Sequence, residues 1–373
     1  MKTSGAKQLI QELLEPAGIK IDGTEPFDIQ VHNPGFYLKV LAGGSLALGE
    51  SYMDGWWDCV ALDQFFYRVM RARLDRKVRA FRAALWAVLK TRLLQKTSRS
   101  KAFEIGRRHY DIGNDLFTVM LDRQMNYSCA YWKQADNLEV AQEAKLELIC
   151  RKLMLEEGMR VLDIGCGWGG FAVYAAKNYG VEVVGITVSR EQVKLARERI
   201  GELPISIELK DYRDLQERFD RIVSIGMFEH VGLPNYRKYM ESVLGCLNSD
   251  GLFLLHTIGG NTSTNTTDPW IEKYIFPNSM LPSASQISDA AEGLFVMEDW
   301  HSFGHYYDST LMAWYKNLTN NWDQLKSVYN ERFYRMWIYY LLSCAGTFRA
   351  RRNQLWQIVF SKKGLEGGYE AIR

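Results

Sequence analysis

Val161-Leu162-Asp163-Ile164-Gly165-Cys166-Gly167-Trp168-Gly169-Gly170 runs from an apolar strand into a glycine turn, and a helical pattern follows from Phe171. Glycines in such a turn tolerate positive φ and let the backbone approach a ligand closely. Gly165, Gly167 and Gly170 match the GxGxxG spacing of dinucleotide loops, a weak indicator when taken alone. Two features oppose a nicotinamide cofactor. Asp163 stands at the strand end, where a carboxylate repels a pyrophosphate and attracts an ammonium. The next strand ends in Gly185-Ile186-Thr187, with no acid to take a ribose diol. A carboxylate beside a tight glycine turn suits a zwitterionic sulfonium, S-adenosylmethionine, because a buried acid without a partner is unfavourable.

Outward from this loop the pattern alternates strands and helices. Apolar strands are expected at 160–164, 181–186, 220–225 and 251–257, with a late strand at 354–360 closing the sheet antiparallel. A helix is expected from Leu138 to Leu155, started at Asp136-Asn137-Leu138-Glu139 and ended by Gly158. This is the grammar of a doubly wound α/β sheet. Thr187 and Gln192 follow the second strand, near where such folds hold a ribose. Ser189 and Gln192 equally have the spacing of a capping box. Asp211-Tyr212-Arg213 follows the third strand, where such folds hold adenine.

Methyl transfer from a sulfonium needs alignment and exclusion of water. Transfer to an alkene also needs a base, because attack leaves a carbocation whose new methyl must lose a proton before a ring can close. Candidates at strand ends and adjoining loops are Glu229, His230, His256 and Tyr307. A strand-end histidine is commonly a satisfied core residue, and Tyr307 alone reads as a core aromatic. An acid and a histidine on adjacent strand ends favour a functional site. Cys129 and Cys344 read as small buried hydrophobes with no flanking base.

The 373 residues suit two unequal domains, and 47% hydrophobic content with 24% charged residues is that of a globular protein. The start of the chain shows no apolar signal core, and no stretch approaches the ~18 apolar residues that span a bilayer. Six scattered cysteines without CxxC spacing argue for a reducing cytosol and against a metal site. Charge is uneven. Residues 68–108 carry fourteen Lys/Arg against two acids, a net +12, so the other 332 residues carry −10 of the overall +2. Val78, Phe81, Leu85, Val88 and Leu89 form one helical face within this run. A helix of this kind fits the headgroup layer of an anionic membrane and fits equally a solvated helix packed on its own protein. Few interleaved aromatics weigh against nucleic acid. Residues 268–277 read as an apolar loop, suited either to lining an acyl opening or to ordinary packing.

The motifs Gly106-Arg107-Arg108-His109-Tyr110-Asp111-Ile112-Gly113-Asn114-Asp115, Tyr127-Ser128-Cys129-Ala130-Tyr131-Trp132, the 161–170 loop, Phe228-Glu229-His230-Val231-Gly232 and Leu255-His256-Thr257-Ile258-Gly259 together resemble the cyclopropane fatty-acid and mycolic-acid cyclopropane synthases. Gly49-Glu50-Ser51-Tyr52-Met53-Asp54-Gly55-Trp56-Trp57 resembles the N-terminal hallmark of the bacterial phospholipid enzymes, which the mycolic enzymes lack. The resemblance implies a Rossmann-like class I S-adenosylmethionine-dependent methyltransferase fold with a smaller N-terminal α+β domain. The expected divisions are a lipid-associated domain over 1–90, a basic linker over 91–105 and a catalytic domain over 106–373.

The resemblance further implies a bound bicarbonate serving as base, held by Glu229, His256, Tyr307 and the backbone around Cys129 and Ile258. The cofactor would lie along Tyr127, Ser128, Asp163, Gly165, Gly167, Thr187, Gln192, Tyr212 and Arg213. The implied partners are a phospholipid with an unsaturated acyl chain, an anionic membrane surface and a second copy of the chain. The implied location is cytoplasmic, peripheral to the inner face of the membrane. Rival readings are a methylase that leaves the ring open, a non-catalytic lipid binder and a nucleic-acid methyltransferase.

Overall fold

A computed structural model describes residues 3–74 and 113–373. Most of the basic run, the 91–105 linker, both expected domain boundaries and the 106–112 part of the first motif lie outside them.

The first described segment holds α1 (Thr3–Leu14), β1 (Gln30–Val31), α2 (Phe36–Met53), β2 (Trp57–Asp58) and α3 (Leu62–Arg71). The two short strands pair antiparallel. The glycine-rich run at 43–57, which by its glycines alone reads as turn-rich, is helical as far as Met53: α2 merely kinks at Gly44, whose φ of 62° and ψ of −138° are non-helical. At Gly49 burial overrides a weak helix propensity, while Gly44 takes up the kink. Gly49 is required by contact, since a Cβ there would lie 2.3 Å from the Trp270 ring.

The second segment begins with α4 (Asn114–Met120) and α5 (Leu138–Lys152). As the 136–139 pattern predicts, Asn137 caps α5, its side chain accepting from the Val140 N–H at 3.0 Å. Then follow β3 (Arg160–Ile164), α6 (Gly170–Tyr179), β4 (Glu182–Thr187), α7 (Arg190–Arg199), β5 (Ile205–Leu209), β6 (Phe219–Ile225), α8 (Tyr236–Cys246) and β7 (Leu247–Gly260). The chain ends through α9 (Pro269–Tyr274), α10 (Ala284–Ala291), β8 (Val296–Ser302), α11 (Tyr306–Asn321), α12 (Glu331–Arg349) and β9 (Asn353–Ser361).

Seven strands form one sheet in the order β5-β4-β3-β6-β7-β9-β8. The first five are parallel, and β9 runs antiparallel between β7 and β8. Alternate residues serve opposite cores: Val161, Val223 and Leu254 face α5 and α6, while Leu162, Ile222 and Leu255 face α8 and α10. Burial on both faces is why these strands read as unbroken apolar runs. The sheet order reverses between β3 and β6, and ligands of such sheets bind at the carboxyl ends of the strands there. The edge strand β8 escaped the sequence reading because its polar Glu298, Asp299 and His301 break any apolar run.

Residues 3–74 share one hydrophobic core with α4, α9, α11 and α12, in which Trp57, Phe65, Trp270 and Tyr339 are all buried. Partly buried charges staple the same contact: Arg349 pairs with Asp63 at 2.5 Å and Asp308 at 2.8 Å, and Arg335 with Asp58 at 2.7 Å. The 268–277 stretch, expected as a loop, contains α9, whose start is capped by Asp268 accepting from Trp270 N–H at 2.9 Å. Trp270 and Ile275 are each only 1% exposed, packed within this core. That outcome matches the packing alternative for these two residues.

Candidate active site

A cavity opens at the carboxyl ends of β3, β4 and β6. All nine residues expected along the cofactor line it: Tyr127, Ser128, Asp163, Gly165, Gly167, Thr187, Gln192, Tyr212 and Arg213. The glycine loop is anchored by Gly165 and Cys166 N–H groups donating to the Ile186 carbonyl at 2.9 and 3.0 Å. Gly165 and Gly167 have φ of +84° and +55°. A Cβ at Gly165 would strike Met227 at 2.8 Å, whereas one at Gly167 would meet no protein atom within 4 Å. Gly167 therefore presents bare backbone to the cavity, a cradle that a side chain would fill.

Asp163 is 2% exposed, and its Oδ1 has no hydrogen-bond partner among the described residues. Burial pushes its carboxyl up to about 7, while the Lys145 charge pulls the other way. An orphaned buried acid beside open backbone fits the ammonium of S-adenosylmethionine. Thr187 Oγ1 donates to Gln192 Oε1 at 2.7 Å, and Ser189 Oγ accepts from the Gln192 N–H at 3.3 Å. Thus the 189–192 segment both caps α7 and faces the cavity. Asp211 fixes Arg213 through two hydrogen bonds of 2.7 and 2.6 Å.

Glu229, His256, Tyr307, Cys129 and Ile258 do not line this cavity; Glu229 contacts Ile258, and Tyr307 lies near Cys129 and Glu229. Their sequence neighbours Ser128 and His230 belong to the cavity wall. Glu229 sits in a 3₁₀ turn (Phe228–His230) after β6 and accepts from the Ile258 N–H at 2.7 Å through Oε1. Its Oε2 is buried without a partner among the described residues. Burial pushes its carboxyl up to about 7, against the Ile258 hydrogen bond.

His256 lies opposite Ile225 on β6 and Gln357 on β9. Gln357 Nε2 is 3.3 Å from His256 Nδ1. With that amide donating, the imidazole carries its proton on Nε2, which is buried without a partner among the described residues. Burial, with the nearby charges of Lys145 and Lys152, holds His256 well below the usual range, so it is neutral. Tyr307, in the first turn of α11, is buried close enough to Cys129, Tyr127 and Glu229 to feel their charges, and burial raises its hydroxyl well above the ordinary value. Cys129 is fully buried and its thiol is likewise pushed up by burial, which suits no nucleophile. His230 lines the cofactor cavity instead, with burial lowering it to about 4.

Glu229 Oε2 and His256 Nε2, buried and unmatched among the described residues, would suit a small hydrogen-bonding anion such as bicarbonate. The sequence reading missed Lys145, Asn126 and Gln357, which hold Ser128 and His256 in place. The one signal for the first was available: Gln142 and Lys145 stand three residues apart on α5, a polar pair on a helix face the structure buries.

Comparison with known proteins agrees with this geometry. The model of the family "Mycolic acid cyclopropane synthetase" matches residues 97–358. The cyclopropane-fatty-acyl-phospholipid synthase of Escherichia coli strain K12 is 56% identical over 366 residues, covering 98% of this chain and 96% of that protein. The solved structure of the cyclopropane synthase MmaA2 from Mycobacterium tuberculosis is 33% identical with a TM-score of 0.66, covering 70% of this chain and 98% of that one. The mycolic acid cyclopropane synthase CmaA1, solved with S-adenosylhomocysteine and the surfactant CTAB, is 33% identical with a TM-score of 0.65 over the same shares. The seven-stranded sheet is thus a class I methyltransferase fold, and the chain belongs to the cyclopropane synthase family of S-adenosylmethionine-dependent methyltransferases.

Proposed function

We propose that the protein forms cyclopropane rings on unsaturated acyl chains of membrane phospholipids, using the methyl carbon of S-adenosylmethionine added across the cis double bond. The observation that carries this reading is the glycine-loop cavity together with Glu229 Oε2 and His256 Nε2, both buried without a partner among the described residues. S-adenosylmethionine supplies an electrophilic methyl group, and bicarbonate, held by Glu229, His256, Tyr307 and the backbone at Cys129 and Ile258, would supply the base.

The chain's own residues align and exclude. Asp163, Thr187 and Gln192 orient the donor, with Tyr127, Ser128, Tyr212 and Arg213 along its length. Glu229, its carboxyl protonated in part near neutrality, fixes an anion through hydrogen bonds while the Ile258 N–H fixes Glu229. The Tyr307 ring faces a developing carbocation, worth about 2 kcal/mol when desolvated. Residues 1–90 would act as the lipid-associated part, 91–105 as a basic linker to an anionic surface and 106–373 as the catalytic part. None of the described helices is long and apolar enough to cross a membrane, and we assign peripheral attachment on the cytoplasmic face, as a homodimer.

Incubation with S-adenosylmethionine, bicarbonate and vesicles of unsaturated phospholipid, followed by mass spectrometry, tests this. The expected product gains one CH₂ and loses its double bond, with a ring visible by NMR. A methyl branch instead would overturn ring closure; no lipid product would overturn the substrate.

A further inference from the structure

Two lysines on α5 have side chains fully shielded from solvent, Lys145 and Lys152. Lys152 has a counter-ion, Asp299 Oδ2 at 3.1 Å. Lys145 has none: its Nζ donates to Asn126 Oδ1 and Ser128 Oγ, each at 3.1 Å and each neutral. No carboxylate of the described residues lies within ion-pair distance of it. Asp122, the acid whose charge it feels most, is already bonded by the Gln124 and Asn126 N–H groups and the Asn126 amide. Two of the three ammonium donors are used, and Lys145 is among the residues around the cofactor cavity. Burial lowers its pKa to about 8, so the cation persists at neutral pH.

A buried cation held only by neutral acceptors is unfavourable unless a ligand brings the negative charge. The same cavity holds the opposite mismatch, Asp163 with an unpartnered oxygen. We propose that Lys145 binds the carboxylate of the donor's amino-acid end while Asp163 takes its ammonium, the two forming a complementary pair for the zwitterion. Ser128 and Asn126 hold the lysine in place, and Gln142 Nε2 steadies that segment by donating to the Ser128 and Asn126 carbonyls at 2.9 and 3.3 Å. This inference rests on the S-adenosylmethionine reading and adds to it a residue that discriminates among donors.

The test is a binding cycle by titration calorimetry, with no turnover required. S-adenosylhomocysteine and its decarboxylated analogue, which keeps the amine, are titrated into wild type and Lys145→Met, with circular dichroism checking the fold. Removing one partner of a buried charge pair predicts about 30-fold weaker binding of S-adenosylhomocysteine to the variant. The decarboxylated analogue, already lacking the anion, should lose less than about 3-fold. Equal losses for both ligands, or unchanged affinity for S-adenosylhomocysteine, would overturn the assignment. Should Lys145→Met fail to fold, Lys145→Gln carries the same cycle. Wild type that binds neither ligand refutes the donor reading itself, whereas binding of both with equal affinity refutes only the lysine.

Discussion

The Ile258 backbone N–H donates to Glu229 Oε1 at 2.7 Å, so a strand of the sheet holds one carboxylate oxygen while the other is buried and unmatched among the described residues. This contact fixes the direction in which Glu229 can act. A glutamine keeps the accepting oxygen and loses only the proton-bearing one. Glu229→Gln is expected to retain S-adenosylhomocysteine affinity and lower kcat by about 100-fold or more. Equal turnover in lipid assays would remove Glu229 from the chemistry.

The same substitution should raise stability in a defined pH window. Glu229 is lifted from an ordinary 4.5 to about 7 by burial. The folded state keeps its proton where the unfolded chain has lost it, so this group lowers stability as pH rises from about 4.5 to 7 and no further above. Thermal melts of wild type and Glu229→Gln should coincide near pH 4 and diverge above pH 7, by on the order of 2–3 kcal/mol in favour of the variant. A gap that is constant with pH would show that the carboxyl is not buried in its charged form.

Two glycines of one loop should fail differently when mutated. Both have positive φ, but Gly165→Ala also drives a Cβ into Met227, while Gly167→Ala meets open cavity. Gly165→Ala is expected to destabilise by about 2–4 kcal/mol, combining left-handed strain with a clash. Gly167→Ala should destabilise by only about 1 kcal/mol yet weaken S-adenosylhomocysteine severely. Urea denaturation alongside calorimetry separates the two.

Gln357 is expected to matter through His256 alone. Gln357→Leu leaves Nδ1 without a partner and frees the ring to adopt either tautomer. We expect about 10-fold lower kcat with cofactor affinity unchanged. Gln357→Glu should be worse, because a carboxylate accepts from Nδ1–H and moves the proton off Nε2. If both variants match wild type in kcat, His256 does not act through its Nε2 proton.

The close approach of α2 to α9 is a third kind of constraint. Gly49→Ala places a methyl 2.3 Å from Trp270, in a core shared by the N-terminal segment and the C-terminal helices. Overpacking there should lower stability by about 1–3 kcal/mol in chemical denaturation. No change would mean that α2 and α9 separate readily.

Much of the fold is local, and the amino-acid order alone determines it. The runs at 160–164, 181–186, 220–225 and 251–257 are apolar because both sheet faces are covered, and Gly165, Gly167 and Gly169 answer to φ values that few other residues adopt. With Asp163 two residues upstream, these specify a donor cavity before any contact is known, and the resemblance added Tyr127 and Ser128 to its lining.

What only the tertiary structure decided are pairings between distant residues. Gln357 reaches His256 across 101 positions, and Ile258 reaches Glu229 across 29; neither partner carries a local pattern, since a glutamine or isoleucine in a strand reads the same wherever it points. Lys145 reads as one more solvated helix charge until packing buries it at 0% exposure and bonds it to Asn126 and Ser128. The helical state of the 43–53 run was hidden for the same reason: glycine propensity is a property of the chain, and the buried contacts that override it belong to the fold.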